Sequence, residues 1–217
     1  GYDRPFFCSP LGYSEEMFKS EGSLSEPDKL SLSAPKNKLI VGYAGSMGIT
    51  NRLEPLIEAI KLLRKNKNIF FILAGEGDLR KKFEDSLKGC ENVCFLGRIP
   101  QNHVPQLLKR IDLAYLATHK SKIWNYGQSM NKIVEYMLAA KPILASYSGY
   151  PSMINESDCG IFIDNDDPKA IKEHIEYFSK QSQDKLDDIG NKGRNWILEN
   201  RHYRKLATFY LDRIKRL

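Results

Sequence analysis

The chain has 217 residues, 41% of them hydrophobic and 28% charged, with a formal net charge of +6 at pH 7. That length suits one generous domain with appendages, with apolar residues enough for a substantial core. The positive charge is mild and, apart from a concentration in the last predicted helix, spread along the chain. This argues against a dedicated nucleic-acid binder and leaves an anionic ligand or an anionic membrane surface open.

No apolar run is long enough to span a bilayer, and no secretory signal pattern stands at the start. The four cysteines are Cys8, Cys90, Cys94 and Cys159. Only Cys90 and Cys94 are close together, and no second pair with zinc-like spacing accompanies them. Cys94 and Cys159 fall in or beside predicted strands, where a thiol acts as a small hydrophobe. A reducing cytoplasm fits this usage.

Residues 1 to about 37 read as no core element. Tyr2 to Pro10 is one extended piece, Pro10 to Ser14 a turn, and residues 20 to 37 have the Ser, Glu, Lys and Pro content of an exposed linker. A regular alternation begins at Lys38. Leu39 to Ala44 is a short apolar strand, and Leu53, Leu56, Ile57, Ile60 and Leu63 mark an amphipathic helix with Pro55 in its first turn. Ile69 to Ala74 is a second strand, and Asp78 is placed to cap a helix running to about Lys88. Asn92 to Leu96 is a third strand, Val104 to Arg110 a short helix and Leu113 to Leu116 a fourth strand.

A polar loop then leads into a helix carrying Ile133, Val134, Met137 and Leu138. Pro142 is expected to stop it, and strand five follows at 142–146. A short helix near 152–156 precedes strand six, Gly160 to Ile163. Helical segments over roughly 168–180, 184–199 and 201–216 complete the chain. Six short apolar strands alternating with helices predict an α/β fold: a Rossmann-like, doubly wound parallel sheet covered on both faces. Ligands in such sheets bind at the carboxyl ends of the strands, where the strand order switches. The loops to watch are therefore 42–52, 75–78, 96–101, 117–132 and 147–152.

The motifs with chemical content lie in these loops. Gly42-Tyr43-Ala44-Gly45-Ser46-Met47-Gly48 sits where a phosphate loop belongs, but its G-x-x-G-x-x-G spacing misses the dinucleotide fingerprint. It also lacks the Lys-Ser or Lys-Thr of a nucleoside-triphosphate loop. It reads either as a turn that a ligand approaches closely or as a plain tight turn. Phe95 to Pro100 can offer backbone groups to a flat base edge with Ile99 against the ring, or serve simply as a strand-to-helix turn. Gly127, Ser129 and Asn131 precede the helix of Lys132 and Glu135, and a helix N-terminus favours an anion. Lys132 and Glu135 lie three apart on one helix face; on spacing alone they also fit an ordinary surface pair. His103, His119, His174 and His202 are scattered, with His174 and His202 on predicted surface helices, and only His119 sits at the binding edge. No nucleophile–His–carboxylate set and no carboxylate cluster for a metal is evident.

In order, Gly42 to Ser46, Phe71 to Gly77, Phe95 to Pro100 and Glu135 to Pro142 resemble the C-terminal, donor-binding half of retaining family 4 glycosyltransferases of the GT-B fold. The similarity covers about residues 38 to 180. It implies a nucleotide-diphosphate sugar as donor substrate, most often a UDP-sugar, with no metal and no cofactor. Glu135 matches the second glutamate of the family's E-x7-E motif, which binds the ribose. The first would fall at Gly127, where this sequence departs toward a bacterial subgroup reading G-x-S-P-N-K-x-x-E, with Met130 in place of its proline. Ser46 and Asn51 stand where the family has its paired Arg and Lys, so Arg52 and Lys132 are the cations expected to face the diphosphate. The implied donor set is Gly45, Ser46, Arg52, Arg98, Ile99, Gly127, Ser129, Asn131, Lys132 and Glu135.

The resemblance further implies residues 1–37 as an interdomain linker or N-terminal extension, 38–200 as the donor domain and 201–217 as a C-terminal crossover helix. An N-terminal acceptor domain is the implied partner, absent here, so this chain alone is expected to be inactive. The implied setting is bacterial envelope or capsule polysaccharide assembly, cytoplasmic or peripheral at the inner membrane face, with a lipid-linked acceptor and no nucleic acid. A GT-B nucleotide-sugar epimerase, a non-catalytic nucleotide-sugar module and a nicotinamide-dependent oxidoreductase using Glu76 are the competing readings.

Overall fold

The structure, a computed structural model, describes residues 10–18, 35, 37–126, 130–150, 153–163 and 167–215. The described strands are β1 (Leu39–Ala44), β2 (Ile69–Ala74), β3 (Val93–Gly97), β4 (Leu113–Ala117), β5 (Ile143–Ser146) and β6 (Gly160–Ile163). All neighbours pair in parallel, in the order β3-β2-β1-β4-β5-β6. The order reverses between β1 and β4, so a crevice opens there at the carboxyl edge.

The helices are α1 (Glu54–Leu62), α2 (Arg80–Ser86), α3 (Val104–Leu108), α4 (Asn131–Leu138), α5 (Met153–Glu156), α6 (Pro168–Ser179), α7 (Gln183–Asn200) and α8 (Tyr203–Ile214). Alternation along each strand divides the core into two layers. Ile40 and Ala44 of β1 pack with Leu107 and Leu108 of α3 and with Ile133, Val134 and Met137 of α4. Leu39, Val41 and Tyr43 face the other way, against Leu56 and Ile60 of α1 and Ile171 and Ile175 of α6. The predicted doubly wound sheet is what forms.

Several local expectations are corrected. Asp78 does not cap α2: Leu79 holds the N-cap position with no side-chain cap. Backbone carbonyls do the work there, since Leu79 N–H donates to Met47 O and Arg80 N–H to Gly77 O. Pro142 is not what stops α4. Ala140 takes a left-handed φ of 53°, Ala140 N–H donates to Met137 O, and Lys141 N–H donates to Tyr136 O. That pair of bonds is a Schellman ending, here without its usual glycine. The helix ends at Leu138, four residues before Pro142, and α7 crosses close by: a Cβ on Gly190 would overlap the Ala140 carbonyl oxygen.

The N-terminal stretch is also less peripheral than its composition suggests. Tyr13 is only 5% exposed and belongs to the core. It forms a parallel bridge with His202 and exchanges backbone bonds with Arg201 and Tyr203. His202 is accordingly no plain surface residue: it caps α8 and bonds Glu15 at 2.9 Å. The extended reading of Tyr2 to Pro10 and the linker reading of 20–37 fall almost wholly outside the described residues. Cys90, Cys94 and Cys159 are free thiols, and burial raises the Cys159 thiol to about 11. No described helix is long and apolar enough to cross a membrane.

Candidate functional site

At the switch point a cavity of about 520 Å³ opens on the carboxyl edge. The loop after β1 contributes Gly45 and Ser46, the loop after β3 Arg98 and Ile99, and the first turns of α4 Asn131, Lys132 and Glu135. Seven of the residues expected from sequence thus meet in one place. Arg52 does not line this cavity; it sits in left-handed conformation (φ 39°) at the end of a 3-10 turn over Ile49–Asn51. Gly127 and Ser129 lie outside the described residues.

The G-x-x-G-x-x-G segment resolves into three different roles. Gly42 is a packing glycine, since a Cβ there would strike the Ile111 side chain. Gly48 is roomy, with the Ser46 hydroxyl the nearest atom at 3.5 Å. Only Gly45 lines the cavity. It has φ +154°, and a Cβ would run into the Lys132 side chain, 2.6 Å from its Nζ.

Lys132 and Glu135 are not a surface pair. The Lys132 ammonium donates to Asn51 Oδ1 at 2.6 Å and to Tyr43 Oη at 3.0 Å, and lies 4.7 Å from the Tyr43 ring centre. Burial pulls its pKa down to about 8, opposed by the Glu135 carboxylate. Burial likewise raises the Glu135 carboxyl above its ordinary range, opposed by Lys132. Both groups are partly desolvated and face one hollow, which suits a ligand bearing hydroxyls beside an anion. Below them Tyr136 is fully buried; its hydroxyl accepts from Ala44 N–H at 3.3 Å and so ties α4 to the end of β1.

On the opposite wall Glu76 is engaged by the protein itself. It pairs with Arg80 and accepts from Arg98 N–H at 3.3 Å. An acid held this way is poorly placed to take a ribose, which weakens the oxidoreductase reading. His119, the one histidine expected near a ligand, instead bonds the Thr50 carbonyl through N–H and ring. It stacks edge-on against Trp124 and knits two loops together. Glu135 also borders a second hollow of about 680 Å³ between α3 and α4, which reaches Arg194 of α7.

Sequence reasoning missed Tyr43 and Asn51 as partners of the lysine, and Gln101 and Val104 as walls of the cavity. Tyr43 reads as an ordinary strand residue and Gln101 as an ordinary loop residue.

The chain belongs to the family described as Glycosyl transferases group 1, whose profile matches residues 25–196. Among solved structures it is similar to HepE of Anabaena in complex with UDP, with a TM-score of 0.74 at 19% identity, covering 95% of this chain and 56% of that one. TarM of S. aureus, in complex with fondaparinux, α-GlcNAc-glycerol and UDP, gives a TM-score of 0.67 at 21% identity, covering 82% and 36%. The C-terminal domain of LpcC, a group 1 family protein from Francisella tularensis, gives 0.63 at 20% identity, covering 82% of this chain and 93% of that domain. The present chain therefore spans about a third to just over half of the first two. No curated protein matches the sequence. These neighbours are GT-B glycosyltransferases, and the parallel sheet seen here is the corresponding Rossmann-like half.

Proposed function

We propose that this chain binds a nucleotide-diphosphate sugar, with UDP as the carrier, and serves as the donor domain of a glycosyltransferase acting on a hexosyl donor. The observation that carries the reading is the meeting of Lys132 and Glu135 over Gly45 at the β1/β4 switch point. Its support is the family membership and the UDP or UDP-glucose bound in similar structures.

In this reading the Glu135 carboxylate accepts from the ribose hydroxyls. The Arg98–Ile99 backbone faces the base, and the diphosphate lies between Gly45, Lys132 and the N-terminus of α4. Negative charge builds on the diphosphate as the glycosidic bond breaks. A fixed ammonium and the free N–H groups of a helix terminus lower that barrier without reorganising. The proposal thus assigns charge compensation to the protein rather than to a metal ion or cofactor. Acceptor groups would come from an N-terminal acceptor domain, with residues 201–217 crossing back toward it. Envelope or capsular polysaccharide assembly at the inner membrane face is the proposed setting, with a lipid-linked acceptor.

The test compares UDP with 2′,3′-dideoxy-UDP by calorimetry. Wild type is expected to prefer UDP about tenfold, and Glu135→Gln to bind both at the weaker affinity. Equal loss of both ligands in Glu135→Gln, or no preference in wild type, would remove the ribose role from Glu135.

A further inference from the structure

The geometry points to a positioning role for Tyr43 and Asn51: together they form a two-oxygen cradle that fixes the Lys132 ammonium where the donor diphosphate must lie. The inference rests on the proposed nucleotide-sugar reading and deepens it.

The two layers of the core set the path the lysine must take. Lys132 belongs to α4, whose Ile133, Val134 and Met137 pack on one face of the sheet. Tyr43 packs in the layer on the other face. The lysine can reach the tyrosine only by crossing the carboxyl edge of β1, and it crosses directly over Gly45. Any side chain at 45 would occupy that path. Gly45 is therefore required by the lysine, over and above any approach of a ligand.

Hydrogen-bond roles follow from the donors present. Tyr43 Oη donates to Ser46 O at 2.7 Å, so toward Lys132 it accepts. An ammonium has donors only, so the Asn51 atom at 2.6 Å acts as acceptor too. An ammonium carries three N–H bonds. Two are directed to the cradle, which leaves the third for the cavity that Lys132 lines. Both cradle oxygens belong to neutral groups, so they orient the cation without neutralising it. A carboxylate at either position would cancel the charge that a diphosphate needs. Lysine is a flexible point charge, and fixing it beforehand removes ordering cost from ligand binding.

The test is calorimetric titration of the 217-residue chain with UDP and with uridine. Lys132→Met is expected to weaken UDP at least tenfold and leave uridine unchanged. Asn51→Ala and Tyr43→Phe are each expected to weaken UDP about three- to fivefold, again sparing uridine. In a Lys132→Met background Asn51→Ala should add nothing. A disturbed loop would still show there, and a lost cradle would not. Lysine placed from the other side, as Asn51→Lys with Lys132→Met, should recover most of the UDP affinity. Tyr43→Phe keeps the buried ring, and position 51 only ends a three-residue 3-10 turn, so folding is not the variable. Wild-type UDP affinity in both Asn51→Ala and Tyr43→Phe, with Lys132→Met impaired, would overturn the cradle and leave the diphosphate reading intact. Unchanged UDP affinity in Lys132→Met would overturn both.

Discussion

Gly75→Ala is expected to lower the melting temperature by about 8 °C or more. Gly75 follows β2 with φ +144°, a conformation that costs an L-residue about 1–3 kcal/mol. A Cβ there would also overlap the Gly45 carbonyl oxygen, and backbone cannot swing aside as a side-chain tip can. Together these effects amount to roughly 3 kcal/mol or more, and each kcal/mol shifts a domain of this size by about 2–4 °C. The contrast with Gly45→Ala is informative. Gly45 shares the positive φ, but there the nearest atoms are Lys132 Cε and Nζ, the flexible end of a side chain, with Tyr43 Oη at 3.0 Å, rather than backbone. Gly45→Ala should therefore melt closer to wild type while losing UDP affinity. Thermal unfolding of both variants checks the pair. A Gly75→Ala protein as stable as wild type would show that the two loops do not sit against one another as described.

UDP affinity is expected to be flat near neutral pH and to fall at least tenfold between pH 7 and pH 9.5. Lys132 in the free protein titrates at about 8, because burial disfavours its charged form and Glu135 only partly restores it. A bound diphosphate favours the ammonium and raises that value. Above pH 8 binding must therefore recruit a proton, at about tenfold in affinity per pH unit until the bound value is reached. Tyr43, the titratable partner on the far side, stays neutral throughout, since burial and the neighbouring Tyr136 and Tyr115 push its hydroxyl well up. Unfolding carries the opposite sign. The folded pKa lies below the ordinary 10.5, so the unfolded chain holds more protons between pH 8 and 10.5, and this group's contribution to stability rises with pH there. UDP titrations at several pH values, repeated with Lys132→Met, separate the two effects. A decline of the same shape in the variant would assign it to another group.

Much of the fold is legible in the sequence because its signals are local. Short apolar runs such as Leu39–Ala44 and Ile69–Ala74, separated by amphipathic spacing, leave little alternative to a parallel sheet. Gly160 to Ile163 forms as predicted, to the residue. The departures come where tertiary contacts decide. α4 ends in a left-handed turn at Ala140 against which α7 packs at Gly190, and buried Tyr13 is bridged to His202, far away in sequence. At the site, helical spacing puts Lys132 and Glu135 on one face at the binding edge, and the family resemblance, not the spacing, separates them from an ordinary surface pair. The partners of Lys132 are not legible. Tyr43 lies 89 residues away and Asn51 81, and although both fall in the 42–52 stretch singled out from sequence, nothing there pairs either with the lysine. Gly45 is singled out by the family resemblance and does line the cavity, whereas spacing alone does not tell it from Gly42 and Gly48 until Ile111 and Lys132 are placed.

The most direct test of the central claim is a titration of wild-type protein with UDP, ADP, GDP and NAD under one set of conditions. The account predicts that UDP binds best, with a dissociation constant of roughly 0.1–1 mM, about 4–5 kcal/mol, and that NAD does not compete with it. NAD binding tighter than any of the nucleoside diphosphates, or no binding of any of the three, would contradict it.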